Sequence, residues 1–418
     1  MIVAKLCLLL GSLLFVELLF QLASGLNPLV DRYTFPKRPD NLKDAIVGHR
    51  GDPSHPGHDE RGFRNPVALD RASAVTLGDS HTYGTSVEPE QAWPVLLADV
   101  MGASVYNMGF GGYASSHNER HLDLAIGLSP RVVIFCLYFG NDFVEDFLFT
   151  LERNELDSFV SSDAIVEVGR LQAESRIEDE VDVLYNLGKR KARATADSTK
   201  VDPTFPARLL QAADDALGWF KASSRVYGLI RNVYFNTLPS SGEGSTAELL
   251  AKDFERAANA LSPEQLAFAS AYAGAEWKTI LTAPYRFRVL DDSDPRVRTG
   301  IEISKHRIVR MGQHLASEGI EFAAVMLPTK ESVFFPRVDT PQEHKDLTKL
   351  AVTEARLREE VTRFLREEGI LVIDPTQALQ QAETQPYFTD TDGHPNSLGH
   401  KVIASVIAAE LRTSFSTH

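Results

Sequence analysis

Cysteine and net positive charge are the two features that this 418-residue sequence lacks most clearly. Only two cysteines occur, and Cys7 lies in an apolar N-terminal stretch far from Cys136, which argues against an intrachain disulfide. The formal net charge is −14. Nucleic-acid partners require a basic surface, so a nucleic-acid-binding protein is excluded. With 43% apolar residues the chain can bury a full core, and we expect a globular protein.

Spacings typical of metal ligands are also scarce. The richest histidine segment, HRGDPSHPGH at 49–58, has no carboxylate or thiolate ligands at a recognisable spacing. We therefore interpret this segment as a surface loop and predict no metal site.

The first 28 residues differ from the rest of the chain. A single lysine precedes a largely apolar stretch that is interrupted by Glu17 and Gln21. Residues 6–25 suit either a cleavable export signal or the roughly 20 residues that a membrane span needs. A buried core helix is the weaker alternative, because the segment is not amphipathic. We favour an uncleaved anchor and expect the rest of the chain to be extracytoplasmic.

Strand and helix signals alternate over 59–145 and again over 301–413. Apolar runs predict five strands, at 72–79, 103–110, 131–139, 321–328 and 370–375. Helical spacing predicts helices at 90–101, 306–320, 353–369 and 397–411. Strands separated by helices pair in parallel, and continuous apolar runs fit a sheet covered on both faces. The pattern therefore predicts an α/β fold with a five-stranded parallel sheet between layers of helices.

This alternation stops between residues 146 and 300, which are helix-rich and charged. We interpret the stretch as a helical insertion, a candidate lid, between the two parts of one α/β domain. Residue types alone do not define its role.

Polar residues and glycines follow four of the five predicted strands. Open α/β sheets bind ligands at the carboxyl ends of their strands, so these loops are where chemistry is expected. The loops are Gly78-Asp79-Ser80, the N-M-G-F-G-G turn at 107–112, Gly140-Asn141-Asp142, and YFTDTDGHPNSLGH at 387–400.

The loops contain the residue types that an activated serine needs. A serine hydroxyl is a poor nucleophile until a base takes its proton, and histidine suits that task near neutral pH. This predicts Ser80 as nucleophile and His394 as base. The second ring nitrogen of such a base needs an acceptor. Residues i and i+2 of an extended segment project to the same side, which favours Asp392, with Asp390 as the alternative.

The remaining residues of these loops have supporting roles in this interpretation. A developing oxyanion needs preorganised donors, and the backbone N–H groups of Ser80 and Gly112 and the Asn141 amide could provide them. Asp79 is expected to support its loop by hydrogen bonding. For His81 a structural or binding role is favoured over catalysis, and for His400 capping or packing is favoured.

Taken in order, GDSHTYG, NMGFGG, GND and the C-terminal D-G-H resemble the sequence blocks of the SGNH/GDSL hydrolase superfamily, over about residues 59–150 and 300–413. The resemblance implies a flavodoxin-like three-layer sandwich and ester hydrolysis without a cofactor. It also implies a site made of the nucleophile Ser80, the pair Asp392 and His394, and the oxyanion donors Gly112 and Asn141. The segments DERGFRNP at 59–66 and PTKE at 328–331 are similar to those of anchored bacterial members.

The D-G-H block departs from the D-x-x-H of many members, since Thr391 occupies the position three residues before His394. A D-x-H form is also similar to polysaccharide O-acetyltransferases of the alginate-modifying type. Three functions therefore stay open: a serine ester hydrolase that removes short acyl groups, which we favour, an O-acyltransferase, and a non-catalytic glycan-binding or assembly protein. The expected partners are an acylated small molecule or glycan, and a membrane through the N-terminal segment, in a bacterial periplasm or at the cell surface.

Overall fold

The chain divides into two units, one of residues 1–62 and 191–249 and one of residues 63–190 and 250–418. The computed structural model describes residues 2–27, 30, 34, 41–179, 224–226, 229, 246–261, 265, 268–338 and 344–415. The predicted segment boundaries at residues 28, 145 and 300 stay predictions.

In the first unit, the N-terminal helix α1 (Ile2–Ser24) contains the glutamate that interrupts its apolar sequence. The Glu17 carboxylate accepts hydrogen bonds from Ser224 Oγ at 2.8 Å and from the backbone N–H groups of Arg225 at 2.7 Å and Val226 at 3.0 Å. A hairpin of β1 (Asn41–Asp44) and β2 (Gly48–Gly51) follows. No described helix is both long and apolar enough to cross a membrane. The export or anchoring role of residues 1–28 stays a prediction.

The second unit is built on a parallel sheet. The strands described in the second unit are β3 (Ala74–Leu77), β4 (Val105–Asn107), β5 (Val132–Tyr138), β6 (Ser270–Ala273), β7 (Lys278–Leu281), β8 (Glu321–Leu327) and β9 (Leu371–Ile373). Five of them pair in parallel in the order β4-β3-β5-β8-β9. Numbered along the chain this order is 2-1-3-4-5, which is the flavodoxin-like arrangement. The predicted five-stranded parallel sheet is confirmed.

Helices flank this sheet. The described helices after α1 are α2 (Ser80–Tyr83), α3 (Trp93–Met101), α4 (Ser115–Arg120), α5 (Leu122–Gly127), α6 (Asp142–Glu152), α7 (Ser162–Glu174), α8 (Thr246–Asn259), α9 (Ala283–Arg288), α10 (Pro295–Ser317), α11 (Lys330–Phe334), α12 (Lys345–Glu367), α13 (Thr376–Gln380) and α14 (Ser397–Phe415). Short 3₁₀ turns occupy Pro89–Gln91, Leu156–Ser158 and Phe335–Arg337. Among these helices, α14 packs against α3, and α10 packs against α6.

The central strand β5 shows why the apolar runs become strands. All seven of its residues, VVIFCLY, are buried, because β3 and β8 cover its edges and helices cover its faces. Burial of each large apolar side chain contributes roughly 1.5–3 kcal/mol relative to exposure. A run without polar positions is therefore stable only in the middle of a covered sheet.

The stretch interpreted as a helical insertion also contains β structure. Strands β6 and β7 form an antiparallel hairpin that the sequence did not indicate, because both are only four residues long and β6 is largely exposed. In addition, α10 begins at Pro295, eleven residues before the predicted helix start at 306, with Asp294 accepting a hydrogen bond from Arg296 N at 2.9 Å. Most of residues 180–245 lie outside the described residues.

The hairpin holds the segment that leads to the D-G-H block. In β7, Thr279 Oγ1 donates to the Phe388 carbonyl at 2.8 Å and Ile280 N donates to the Thr389 carbonyl at 3.1 Å. The insertion thus provides part of the support for the C-terminal loop of the sheet.

A buried histidine joins α14 to the start of α3. His400 is fully buried, and its Nδ1 accepts a hydrogen bond from Trp93 N at 3.2 Å, which caps the first turn of α3. This is the capping role expected from the sequence. Burial disfavours the charged imidazolium and lowers the pKa of His400 to about 3.

The stability of the fold is therefore expected to depend on pH through His400. Below about pH 6.5 the His400 ring is protonated in the unfolded chain but stays neutral in the folded chain. The free energy of unfolding therefore falls as the pH drops. His400→Asn keeps an acceptor for Trp93 N and should flatten this slope by up to about 1.4 kcal/mol per pH unit between pH 6 and 4. Urea unfolding at several pH values measures it. Equal slopes for the wild type and His400→Asn would contradict the lowered pKa of His400.

Candidate active site

The end of β3 and the start of α2 place Ser80 at a sheet edge. Gly78 has a φ of 151°, and a Cβ there would collide with Thr82 and lie 3.1 Å from Cys136 Cβ, so the turn accepts only glycine. Asp79 then caps α2 by accepting a hydrogen bond from His81 N at 2.9 Å. Ser80 is thereby the first residue of the helix, with its side chain partly exposed.

The C-terminal loop brings the predicted base to this serine. His394 Nε2 lies 2.8 Å from Ser80 Oγ, and His394 Nδ1 lies 2.6 Å from Asp392 Oδ1. The same Asp392 oxygen accepts the backbone N–H of His394 at 3.0 Å. The structure thus joins Ser80, His394 and Asp392 in one hydrogen-bonded series.

The second oxygen of Asp392 is also occupied. Ser86 Oγ donates to Asp392 Oδ2 at 2.5 Å. Burial alone would raise the pKa of Asp392, but the hydrogen bonds from His394 and Ser86 outweigh burial and hold that pKa well below its ordinary value. A carboxylate at this position favours a proton on His394 Nδ1, which leaves Nε2 to accept a proton from Ser80.

The alternative acceptor Asp390 does not contact His394 in this arrangement. Its Oδ1 accepts a hydrogen bond from Asp392 N at 2.9 Å, and the residue is exposed. Asp390 thus shapes the turn that presents Asp392.

The two predicted oxyanion donors follow the strands on either side of β3. Gly112, with a φ of 78°, lies in the turn after β4, and this turn is tied to β3 by a hydrogen bond from Phe110 N to the Gly78 carbonyl at 3.1 Å. Asn141 follows β5, and its buried Oδ1 has no hydrogen-bond partner among the described residues. Both lie at the carboxyl edge of the sheet that carries Ser80, and their roles stay predictions.

Asp79 supports the serine turn, as expected. Besides His81 N, its carboxylate accepts the Nδ1–H of His81 at 3.0 Å, and the oxygen that does so lies 3.4 Å from Ser80 Oγ. Burial would raise the pKa of Asp79, but the interactions with His81 lower it, so the group stays a carboxylate.

Lys330 is a residue of the site that the sequence did not identify. Its Nζ donates to the backbone carbonyls of Asp390 at 2.6 Å and Asp392 at 2.8 Å. The ammonium is buried, and burial lowers the pKa of Lys330 to about 8. The only sequence signal was its place in the PTKE block, directly after a strand end.

Arg286 of α9 is a second such residue, and no sequence signal pointed to it. Its Nη1 donates to the Gly140 carbonyl at 3.2 Å, next to Asn141. Its Nη2 lies so close to Gly393 that a Cβ at that position would collide with it. Arg286 therefore lies between the G-N-D loop and the D-G-H loop, and the glycine of D-G-H makes this approach possible.

A cavity of about 390 Å³ opens beside Asp392 and His394. Besides loop residues 390–394, its lining includes Ser86, Gln265, Phe268, Thr282, Tyr285 and Arg286. Most of these side chains come from the stretch interpreted as an insertion. Within the described residues, no group of three histidine, cysteine, aspartate or glutamate side chains is arranged to hold a metal ion.

The comparison with known families agrees with this geometry. Residues 289–418 match the family described as "SGNH hydrolase-like domain, acetyltransferase AlgX". The match places residues 289–418 in an SGNH hydrolase-like family. The matched residues include Asp392 and His394, whereas Ser80 lies outside them.

Solved structures of the superfamily are similar to the chain at low sequence identity. A GDSL-like lipase from Bacteroides thetaiotaomicron VPI-5482 is 10% identical with a TM-score of 0.32, covering 82% of this chain and 88% of the lipase. A G-D-S-L family protein from Desulfitobacterium hafniense DCB-2 is 12% identical with a TM-score of 0.35, covering 81% and 99%. No curated protein sequence matches this chain.

The contacts of Lys330 predict a test of the loop. Lys330→Met keeps most of the side-chain volume but leaves two carbonyls without their donor, at a cost of about 1–3 kcal/mol per unsatisfied group. We expect a lower free energy of unfolding and a lower kcat, measured by urea unfolding and ester hydrolysis. Lys401→Met, at an exposed position of α14, is the control. If the two variants behave alike, Lys330 does not hold the loop.

Proposed function

We propose that this SGNH/GDSL protein is a serine ester hydrolase that removes short acyl groups. The observation that carries the proposal is the unbroken series of hydrogen bonds from Asp392 through His394 to Ser80, at 2.6 Å and 2.8 Å. Each residue has the environment that its role requires. Asp392 is a charged acceptor, the His394 ring is held by that acceptor, and the Ser80 hydroxyl is partly exposed at a sheet edge where ligands bind.

The reaction follows from this geometry. Ser80 Oγ attacks the ester carbonyl carbon while its proton passes to His394 Nε2, and Asp392 stabilises the imidazolium. The tetrahedral intermediate collapses as the ester C–O bond breaks, and His394 gives the proton to the departing alcohol. The acyl group is then bound to Ser80. Water attacks this acyl-enzyme with His394 again as base, which releases the carboxylic acid and restores the serine.

Stabilisation of the negative oxygen is assigned to three donors. These are the backbone N–H groups of Ser80 and Gly112 and the Asn141 amide. The Asn141 side chain is partly exposed at the carboxyl edge of the sheet, which suits a side chain whose amide N–H groups serve a ligand. A single donor of this kind typically contributes about 2.7–4 kcal/mol to the barrier reduction.

The substrate and location belong to the same proposal. We assign the acyl group as acetyl and the alcohol as a hydroxyl of a glycan or small molecule, in an extracytoplasmic compartment. The mixed lining of the cavity, with Gln265 and Thr282 beside Phe268 and Tyr285, suits a ligand with hydroxyl groups and apolar faces.

Removal of the nucleophile tests the central claim. Ser80→Ala should abolish p-nitrophenyl acetate hydrolysis, a loss of at least about 10³-fold in kcat, because the proposed acyl-enzyme forms on the Ser80 hydroxyl. The control is Ser73→Ala, an exposed serine just before the start of the same strand. A fluorophosphonate should label the wild type and Ser73→Ala but not Ser80→Ala. Hydrolysis that survives in Ser80→Ala would disprove the role, and an unlabelled wild type would favour the non-catalytic alternative.

The second candidate is an O-acyltransferase, favoured by the family description that names an acetyltransferase. The acyl-enzyme is the same, and a sugar hydroxyl in the cavity replaces water. With p-nitrophenyl acetate as donor, addition of oligosaccharides should leave the released acetate equal to the released p-nitrophenol if the protein is a hydrolase. Acetate that falls well below p-nitrophenol, with acetylated oligosaccharide detected by mass spectrometry, would instead establish the transferase.

A further inference from the structure

The site contains two Asp-x-His units of the same local geometry. One is Asp79-Ser80-His81 and the other is Asp392-Gly393-His394. In each, the aspartate accepts the backbone N–H of the histidine two residues later, at 2.9 Å and 3.0 Å. The same carboxylate also binds the Nδ1 of that ring, at 3.0 Å and 2.6 Å. The aspartate and the histidine of the first unit have no role in the reaction described above.

The two imidazole rings lie against each other. Their centroids are 4.6 Å apart with an interplanar angle of 34°. His81 also lies against Tyr138 of β5, with centroids 3.7 Å apart and an interplanar angle of 35°. His81 is thus in ring contact with both the end of β5 and the reacting imidazole.

The outer nitrogens of the two rings have different surroundings. His394 Nε2 is bonded to Ser80 Oγ, whereas His81 Nε2 is buried and has no hydrogen-bond partner among the described residues. His81 is only 2% exposed. In this position the His81 ring makes no hydrogen bond to Ser80 and has almost no access to bulk water.

The charges around His81 favour its neutral form. Burial lowers the pKa of His81, and the positive charges of His394 and Arg286 act in the same direction, while Asp79 opposes them. Tyr138, which packs against His81, stays neutral because burial raises its pKa well above its ordinary value, and the nearby His400 stays neutral because burial lowers its pKa to about 3. A neutral aromatic ring attracts a cation placed at its face, and His394 becomes such a cation when it takes the proton of Ser80.

We propose that Asp79 and His81 form a positioning pair for His394: the neutral His81 ring keeps the His394 ring aimed at Ser80 and stabilises its imidazolium form through the stacked face. The inference rests on the proposed hydrolase function for its catalytic part. Its structural part, the effect of His81 on the protonation of His394, does not depend on any substrate.

Two substitutions separate the ring face from the hydrogen bond to Asp79. His81→Phe keeps an aromatic face but cannot donate to Asp79, and His81→Gln keeps a donor but has no ring. We expect His81→Phe to retain kcat for p-nitrophenyl acetate within about threefold, and His81→Gln to lose roughly tenfold in kcat with little change in KM. The acid limb of the kcat/KM profile should move to lower pH in His81→Gln. His306→Phe, at an exposed histidine of α10 packed on Phe364, is the control substitution.

A measurement without substrate makes the test independent of the proposed function. In NMR spectra of histidine-labelled protein, assigned with His394→Gln and His81→Gln, the His394 resonance should titrate at lower pH in His81→Gln than in His81→Phe. In the wild type, the ¹⁵N shifts of His81 should show a neutral ring protonated at Nδ1 at pH 7. This wild-type reading remains available if either variant fails to fold.

The outcomes are distinct. Equal titration of His394 in both variants, or a charged His81 at pH 7, would overturn the inference. A His81→Phe variant as inactive as Ser80→Ala would also overturn it, since His81 would then be a proton-transfer residue. If the NMR shifts occur but the wild type hydrolyses no ester, the hydrolase assignment fails and the positioning pair stands.

Discussion

The hydrogen bond between His394 Nε2 and Ser80 Oγ is the contact on which the site depends. It joins residues that are 314 positions apart in the chain, one at the end of the first strand of the sheet and one after the last. A contact of this kind forms only when both loops are held rigidly, because two free loops would lose more conformational entropy than one hydrogen bond returns. The surrounding structure is best understood as the support for this contact.

The support for the D-G-H loop comes from three separate elements. The β6–β7 hairpin binds the backbone of Phe388 and Thr389, Lys330 binds two carbonyls of the loop, and Arg286 lies against Gly393. Lys330 is itself fixed by the start of α11, where Glu354 accepts hydrogen bonds from Thr329 N at 3.1 Å and from Ser332 Oγ at 2.6 Å. Two of these elements belong to the stretch that interrupts the α/β alternation. The candidate site, formed by residues near both ends of the sequence, thus depends on contacts made by residues from the middle of the chain.

Much of the fold could be predicted because its signals are local. The apolar run VVIFCLY has no polar position, so it could only be a covered strand, and the helices α10 and α12 are followed by the standard stop signals Gly319 and Gly369. The nucleophile and the base could be predicted for a similar reason, since Ser80 and His394 stand in short blocks at strand ends. The hairpin could not, because strands of four residues with exposed positions have no distinctive periodicity.

The residues that sequence reasoning missed act through contacts formed only in the folded chain. Lys330 and Arg286 resemble ordinary surface cations in the sequence, and only the buried carbonyls that they bind reveal their function. His81 gave a partial signal, because the D-x-H spacing of residues 79–81 repeats that of residues 392–394. That repetition has a physical meaning only once the two rings are known to stack.

The close approach of Arg286 to Gly393 limits how this protein could be shortened. A shortened protein made by excising everything between α6 and α10 would retain all five sheet strands, Asn141 and every member of the serine relay. It would nevertheless lose α9, and with it the Arg286 guanidinium that lies against Gly393 of the D-G-H block. The described residues 270–288 of the interrupting stretch are therefore an integral part of the candidate site.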